Sequence, residues 1–577
     1  MSNSVWIVLH RWLAVLLLGA SSGLASAMPG ADVPWITYEA EDMATTGVVL
    51  GPKYGPNVLE TEASGRKCVR LEAPGQYVEF KSGEDASSIV VRYSLPDSPD
   101  GKGLDSTISL YVNGKFKEKL PVTSRYTWLY GDYPFSNNPA AGKPRNFFDE
   151  VRLKGLEIHR GDVVRLQKDS SDAARYCIID LVDLEQVGPP LPVPANSLCI
   201  CDPRFGAAAN GVTDDTTALK NCIAAAKEEG KTVWVPAGTY LITGDIDLHS
   251  DVTIQGAGMW HSTFMGDPGL YSESDRRVRF TGAGSNIHLA DFAIVGKLNC
   301  RSDSEPNDGL EGSFGTNSTI SRIWVEHTKT GAWIVNSSGL MVEGCRFRDT
   351  IADGINFCVG MRGSTISNCT ARGTGDDCFA IWPATYASQK FTPGLNVIRH
   401  CTGQMPFLAN GVAIYGAEGN RVEDCLFKDI SYGCGVLIST TFPVGENEFS
   451  GTTVVQHCEL IRCGGYDHVW QWRAALQVCL DQRNISGVDI NNVNISDSIS
   501  DGLSIIAHGD ALEARSGTLS NTFIDHVQIP NYGLGVEGRH SLWVTSNAKG
   551  SATVSRSNIA GSENSSANFR INVADTP

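Results

Sequence analysis

From Leu289 to Ile524 one short pattern recurs: an apolar residue, two variable positions, then a second apolar residue or a cysteine. Its first position is held by Leu289, Ile320, Val342, Ile366, Ile398, Val422, Val455, Ile490 and Ile524. Its second is held by Phe292, Ile323, Cys345, Cys369, Cys401, Cys425, Cys458, Val493 and Val527. The steps of 22 to 35 residues match one turn of a β-solenoid with loops of varying length. A single such turn cannot bury its inward side chains; only stacking on the next turn takes them out of water. The repeat therefore predicts a right-handed parallel β-helix. A leucine-rich horseshoe would repeat L-x-x-L-x-L, which does not recur here, and a propeller would need longer, four-strand units.

The chain ahead of the repeat is also β-rich, so the fold class is all-β. Residues 35–187 carry short alternating runs, such as Ser88–Tyr93, Ser106–Val112 and Ile178–Val187, separated by turn clusters like Asp97-Ser-Pro-Asp-Gly101. Regular short strands of this kind predict a β-sandwich of jelly-roll type. The segment 188–196, Gly188-Pro-Pro-Leu-Pro-Val-Pro194 at its start, is expected to act as a semi-rigid linker. The β-helix domain then spans 197–577 and opens with one helix. Asp214 is placed as its N-cap, Ala218, Leu219, Cys222, Ile223 and Ala226 form one face, and Gly230 stops it. Residues 1–27 combine His10-Arg11, an apolar run from Trp12 to Leu18 and Ala25-Ser-Ala27, the pattern of a cleaved signal peptide. The product is expected to be secreted, with no membrane attachment, and to act as a monomer.

A formal net charge of −17 argues against a nucleic-acid partner or an anionic membrane surface, since both favour basic proteins. It suits a neutral polysaccharide. None of the 16 cysteines forms a zinc-type cluster. The five from Cys345 to Cys458 share one register of the repeat and read as a buried stack of small apolar groups. Cys199, Cys201, Cys463 and Cys479 lie off that ladder and are the better disulfide candidates.

A second strand follows each turn. Asp353-Gly-Ile-Asn-Phe, Asp377-Cys-Phe-Ala-Ile, Asn410-Gly-Val-Ala-Ile, Cys434-Gly-Val-Leu-Ile and Asp501-Gly-Leu-Ser-Ile align with one another. Asp353 and Asp377 each lie eight residues beyond their core cysteine, so they should stand on adjacent turns, with Asp376 beside them. One aspartate in a turn is ordinary turn chemistry, which suffices for Asp501. Three together raise one another's proton affinity and are costly without a function. Glycoside hydrolysis needs this combination of carboxyl groups, one protonated to release the leaving oxygen and one ionised to activate water. No cofactor is implied for that catalysis.

These stretches resemble glycoside hydrolase family 87, the α-1,3-glucanases and mycodextranases. The resemblance runs through Gly256-Ala-Gly-Met-Trp260, Ile323-Trp-Val-Glu-His-Thr-Lys329, Thr350-Ile-Ala-Asp-Gly-Ile-Asn-Phe357, Gly373-Thr-Gly-Asp-Asp-Cys-Phe-Ala-Ile-Trp382 and Ala409-Asn-Gly-Val-Ala-Ile-Tyr415. It implies that Asp376 is the general acid and that Asp353 with Asp377 holds the water. With that pair on adjacent turns and the acid pointing differently, a water fits between acid and pair, so inversion is expected. Asn356, Trp382, Asn410, Tyr415 and His327 are the expected substrate-binding residues. The sandwich resembles family 35 carbohydrate-binding modules through Tyr38-Glu-Ala-Glu-Asp42 and Ile179-Asp-Leu-Val-Asp-Leu-Glu185. That resemblance implies a structural Ca²⁺, with Glu39, Glu41, Asp180 and Asp183 as ligands. Trp128, Tyr130, Tyr133 and Phe135 read equally as sugar platforms or as core.

Other readings remain open on the sequence. A polygalacturonase-like hydrolase shares the three aspartates, but the Arg-x-Lys pair that would hold galacturonate is missing after Tyr415. A dextranase-like hydrolase and a non-catalytic carbohydrate-binding β-helix are the remaining alternatives.

Overall fold

A computed structural model describes residues 28–442, 447–467, 471–507 and 517–574; the expected signal peptide, 1–27, lies outside them. The sandwich is two antiparallel sheets. One carries Trp35–Glu39, Val48–Leu50, Cys68–Leu71, Ala86–Ser94, Asp149–Ile158 and Cys177–Glu185, the other Ala44–Thr45, Tyr77–Lys81, Asp105–Val112, Lys115–Thr123 and Val163–Gln167. Their inner faces, among them Val69, Ile89, Val91, Ile108, Leu110, Val164, Leu166 and Ile179, form one apolar core.

The second domain is a parallel β-helix in which every coil supplies short strands to two long sheets, of 22 and 12 strands. Its register follows the sequence repeat residue for residue. Leu289 pairs with Ile320, Ile320 with Val342, and the ladder continues through Ile366, Ile398, Val422, Val455 and Ile490 to Ile524. In the 12-stranded sheet Ile355 lies against Phe379, then Val412, Val436, Leu476, Leu503 and Leu542. β-branched and aromatic side chains on the inward positions fill a core that runs the length of the solenoid. The helix Thr216–Glu229 lays Ala218, Leu219, Cys222, Ile223 and Ala226 onto one end of that core. Asp214 accepts the Thr216 N–H as expected of a cap, at 3.0 Å, although the residue flanking the helix is Asp215.

The cysteine ladder from Cys345 to Cys458 is buried. All sixteen thiols are free, including Cys463 and Cys479, which pack in apolar surroundings on different coils.

The linker is not a free spacer, and the sandwich is not a separate module. Leu191 N donates to Ala257 O at 2.9 Å, and the sandwich lies along the β-helix through buried charge. Arg372, on the strand Thr370–Arg372, is held between Glu150 and Asp183 of the sandwich, the latter at 2.6 Å. Arg346 grips Glu185 with two bonds of 2.7 and 2.9 Å, its guanidinium over Trp35. In return Arg66 of the sandwich, fully buried, bonds Ser431 and donates to Arg462 O at 2.7 Å, and Arg145 reaches Phe407 O. Planar guanidinium forks suit these bidentate contacts.

A charge deprived of its partner in such a place has no water to fall back on. Arg372→Ala, which leaves Asp183 without its arginine, is expected to destabilise the protein by about 3–5 kcal/mol, measured by urea unfolding. For the same reason a chain starting at residue 197, with Arg346, Arg348 and Arg372 unpaired, is expected to be insoluble or unfolded. A well-folded monomer from that truncation, seen by circular dichroism and gel filtration, would show that the interface is dispensable.

Candidate active site

The three aspartates are brought together by the register. Gly354 N donates to Asp377 O, Cys378 N to Asn410 O and Gly411 N to Cys434 O, so the turns before Ile355–Phe357, Phe379–Ile381 and Val412–Ile414 stack. Gly375 lets the Asp376-Asp377 turn sit close to its neighbour, because a Cβ there would overlap the Ile351 carbonyl. An oxygen of each of Asp353, Asp376 and Asp377 lies within 4.8 Å of an oxygen of the other two.

Their surroundings differ. Asp377 is buried and fixed by three donors: Asn410 N at 3.0 Å, Asn410 Nδ2 at 2.7 Å and Tyr415 Oη at 3.0 Å. Burial first, then the charge of Asp376, pushes it up to about 7 against those hydrogen bonds. Asp353, also buried, accepts from Asn356 Nδ2 at 3.2 Å. Burial and the charges of Asp376 and Asp377 push its carboxyl well above the ordinary range. The cluster thus holds a proton among its members. Asp376 is the more exposed and is the one paired with a cation, Arg301, at 2.7 Å.

Arg301 comes from the loop between Ile287–Val295 and Gly309–Gly315, outside the repeat. Its Nε meets Asp303 at 2.7 Å, its Nη1 donates to Gly375 O at 2.9 Å, and Tyr133 of the sandwich donates to Asp303 at 2.8 Å. Sequence periodicity gave no hint of this set. Its one signal is the charged run Arg301-Ser-Asp-Ser-Glu305 inserted between two repeats.

The aspartates face a cleft of about 710 Å³. Its lining reaches from Lys329 through Asp353, Asp377, Asn410 and Tyr432 to Asp467, one residue or more from each of six successive coils. One wall is aromatic: Trp382 packs against Trp333, Tyr386 and Phe442 at centroid distances of 5.8, 6.0 and 5.0 Å. Such rings take the C–H faces of sugars, with polar groups fixing orientation.

Of the expected substrate-binding residues, Asn356, Trp382, Asn410 and Tyr415 all line the cleft. Only Trp382 has the character of a platform, however. Asn356 and Tyr415 hold Asp353 and Asp377, and Asn410 engages its remaining oxygen with Cys434 N at 2.8 Å, so these three position the carboxylates. His327 requires a correction. It lies at the domain interface rather than in the cleft, 2.7 Å from Asp149 and stacked on Tyr126, because its coil position faces the sandwich.

The expected calcium ligands also require one. No three of Glu39, Glu41, Asp180 and Asp183 bring oxygens within 4.8 Å of one another among the described residues. Asp180 pairs with Arg92 and Asp183 with Arg372, so arginines neutralise two of the four acids expected to hold the ion. Glu39 and Glu41 each keep one buried oxygen without a partner. Of the uncertain aromatics, Trp128 and Tyr130 are tied into the sandwich through Leu95 O and Asp97, whereas Tyr133 lines the cleft.

Comparison with known proteins places this geometry. Family models described as alpha-1,3-glucanase catalytic domains D1 and D2 match residues 32–187 and 213–567. The catalytic unit of a thermostable family 87 α-1,3-glucanase from Streptomyces thermodiastaticus strain HF3-3 is 32% identical. It superposes with a TM-score of 0.79 over 95% of this chain and 96% of its own. A family 87 α-1,3-glucanase catalytic domain in complex with nigerose is 27% identical, with a TM-score of 0.82 over 95% and 99%. The pre-neck appendage protein of Bacillus phage phi29 is 27% identical over 178 residues, and the matched segment spans 20% of that protein's length.

The raised carboxyls make a prediction about stability. A group that binds its proton more tightly folded than unfolded contributes fully below its unfolded value and loses that contribution as pH rises through the folded one. For Asp377 the window runs from 3.8 to about 7. The melting temperature of the wild type is therefore expected to fall across that window, and Asp377→Asn to fall less and to melt above the wild type at pH 8. Parallel melting curves for the two proteins from pH 4 to 8, by calorimetry, would refute this.

Proposed function

Because the chain belongs to the α-1,3-glucanase family of glycoside hydrolases, family 87, we propose that it cleaves α-1,3-glucosidic linkages in an α-glucan. The observation that carries the reading is the trio Asp353, Asp376 and Asp377 on the floor of an aromatic-walled cleft. A nigerose complex of a family relative supports the choice of linkage.

In this reading Asp376, the most accessible of the three and oriented by Arg301, protonates the glycosidic oxygen as the C1–O bond breaks. The proton resides at rest on the buried pair and crosses to Asp376 within the cluster. A water between Asp353 and Asp377 attacks C1 and gives up its proton to them. Two hydrogen bonds of about 2.8 Å can bridge oxygens that lie this close. The cluster regains the proton it lent, and no covalent intermediate forms. The anomeric centre inverts.

One observation favours a second reading. General acid and base of inverting glycosidases stand about 6.5–9.5 Å apart, and retaining pairs about 5–5.5 Å; the contacts within 4.8 Å in this cluster are nearer the latter. Inversion remains the better account, because a retaining enzyme needs one nucleophile and leaves the third buried carboxylate without work. Among the described residues no helix is long and apolar enough to cross a membrane. Together with the leader-like residues 1–27, an exported enzyme acting on extracellular glucan is the reading that fits.

Asp353→Asn, Asp376→Asn and Asp377→Asn are each expected to lower turnover of α-1,3-glucan by about 10²–10⁴ or more, and Arg301→Gln by about 10² through misplacement of Asp376. Unchanged release of reducing sugar in any aspartate variant would remove that residue from the mechanism. Proton NMR in the first minutes of reaction, before mutarotation, is expected to show the β-anomer; an initial α-anomer would establish the retaining alternative.

A further inference from the structure

A second cavity, of about 370 Å³, opens beside the catalytic cleft where the sandwich meets the β-helix. Tyr133 and Phe135 of the sandwich and Tyr432 and Tyr466 of the β-helix face into it, with Arg145 and Asp467 among its polar groups. Tyr133, Tyr432 and Asp467 line both this cavity and the catalytic cleft, so the two adjoin.

The wall residues are tied to their surroundings. The Arg145 guanidinium lies 3.9 Å from the Tyr432 ring centroid, and Arg145 is itself anchored by Glu62 at 2.7 Å. Tyr432 Oη accepts from Asn57 N at 2.6 Å. Tyr466 packs on Trp472 with ring centroids 5.1 Å apart, and Tyr133 meets Phe135 edge to face at 6.0 Å. The solvent edge carries the Asp132–Lys143 pair, both side chains largely exposed. Fixed aromatic faces with a few carboxylate and cationic groups at the rim recognise the stacked C–H surfaces and hydroxyls of a sugar. An occupant reaching this cavity from the aspartates must pass Tyr432 and Asp467, along the direction in which the coils stack.

We propose that this cavity is a distal subsite for further glucosyl units of the same glucan chain that is cleaved at Asp376, built jointly by the two domains. The proposal rests on the glucanase reading. It makes the sandwich part of the substrate path and gives the enzyme a preference for chains long enough to reach across the junction. Binding energy gathered there acts on long substrates only.

Two measurements test it. The first compares kcat/KM for α-1,3-linked glucose oligosaccharides of increasing length in wild type, Tyr466→Ala and Tyr466→Phe. Tyr466→Ala is expected to lose about tenfold on long oligosaccharides and nothing on the shortest that is cleaved, while Tyr466→Phe, which keeps the ring, follows wild type. An equal loss at every length, or none at any, overturns the proposal. Turnover of the shortest substrates by wild type tests the glucanase reading separately. The second needs no change in the cavity: hydrogen–deuterium exchange of Asp376→Asn with a long or a short oligosaccharide. Protection of residues 131–145 by the long one alone is expected, and protection by neither or by both overturns the subsite.

Discussion

Parallel backbone pairing at about 4.8 Å per coil is the constraint on which the rest of this protein depends. It fixes the register that stacks Val342 on Ile320 and Ile366, and the same register carries the turn residues with it. Asp353 and Asp377 are neighbours because Ile355 and Phe379 are paired. The carboxylates have no freedom to relax their repulsion by moving apart. They relieve it by holding a proton, by accepting from Asn356, Asn410 and Tyr415, and by the pairing of Asp376 with Arg301. What would be a defect in a storage scaffold is, on the proposed reading, the source of an acid and a base in one place.

That logic explains which parts were legible in the sequence. The repeat gave the ladder correctly because inward positions obey one rule, stated anew in every coil. Asp353, Asp376 and Asp377 were legible for the same reason, being displacements within that rule. Arg301 and Asp303 were not, because they reach the site from an inserted loop that carries no period; Tyr133 reads as either platform or core, and the structure puts it on the cleft wall. His327 was misplaced because a repeat tells which residues face outward and not which outward face is covered. The three polar residues Asn356, Asn410 and Tyr415 were found on the cleft wall, as expected of substrate-binding groups. Sequence shows that a polar group stands beside a carboxylate and does not show that it also hydrogen-bonds that carboxylate, as each of these does.

The junction between sandwich and β-helix follows from a different physical rule. Two small apolar clusters cross it, Val90 with Trp260, Ala293 and Trp324, and Leu129 and Phe147 with Phe407 and Leu408. Between them the domains are joined by arginines paired with groups of the other side, in both directions. Alternating composition and a proline-rich connection pointed to an independent module, and both features are present. What they could not convey is that Glu150, Asp183 and Glu185 have their counter-ions on a separate domain more than 150 positions away. Of the four acids expected to hold calcium, arginines hold Asp180 and Asp183, while Glu39 and Glu41 each keep a buried oxygen without a partner.

The ladder also sets what kind of inheritance this protein can tolerate. Solenoids change length most easily by gaining or losing a whole coil, since such an event keeps every inward position in phase. Between Asp353 and Asp377 that route is closed. One extra coil would part Asp353 from Asp377 by about 10 Å, twice the strand spacing, and abolish the shared proton while leaving a perfectly stacked molecule. Beyond the last coil of the cleft the same duplication would be silent. Lineages descended from this chain should therefore vary in coil number at the C-terminal end and insert nothing between the turns of Asp353 and Asp377, so that the history of the gene is constrained by the reach of a carboxylate.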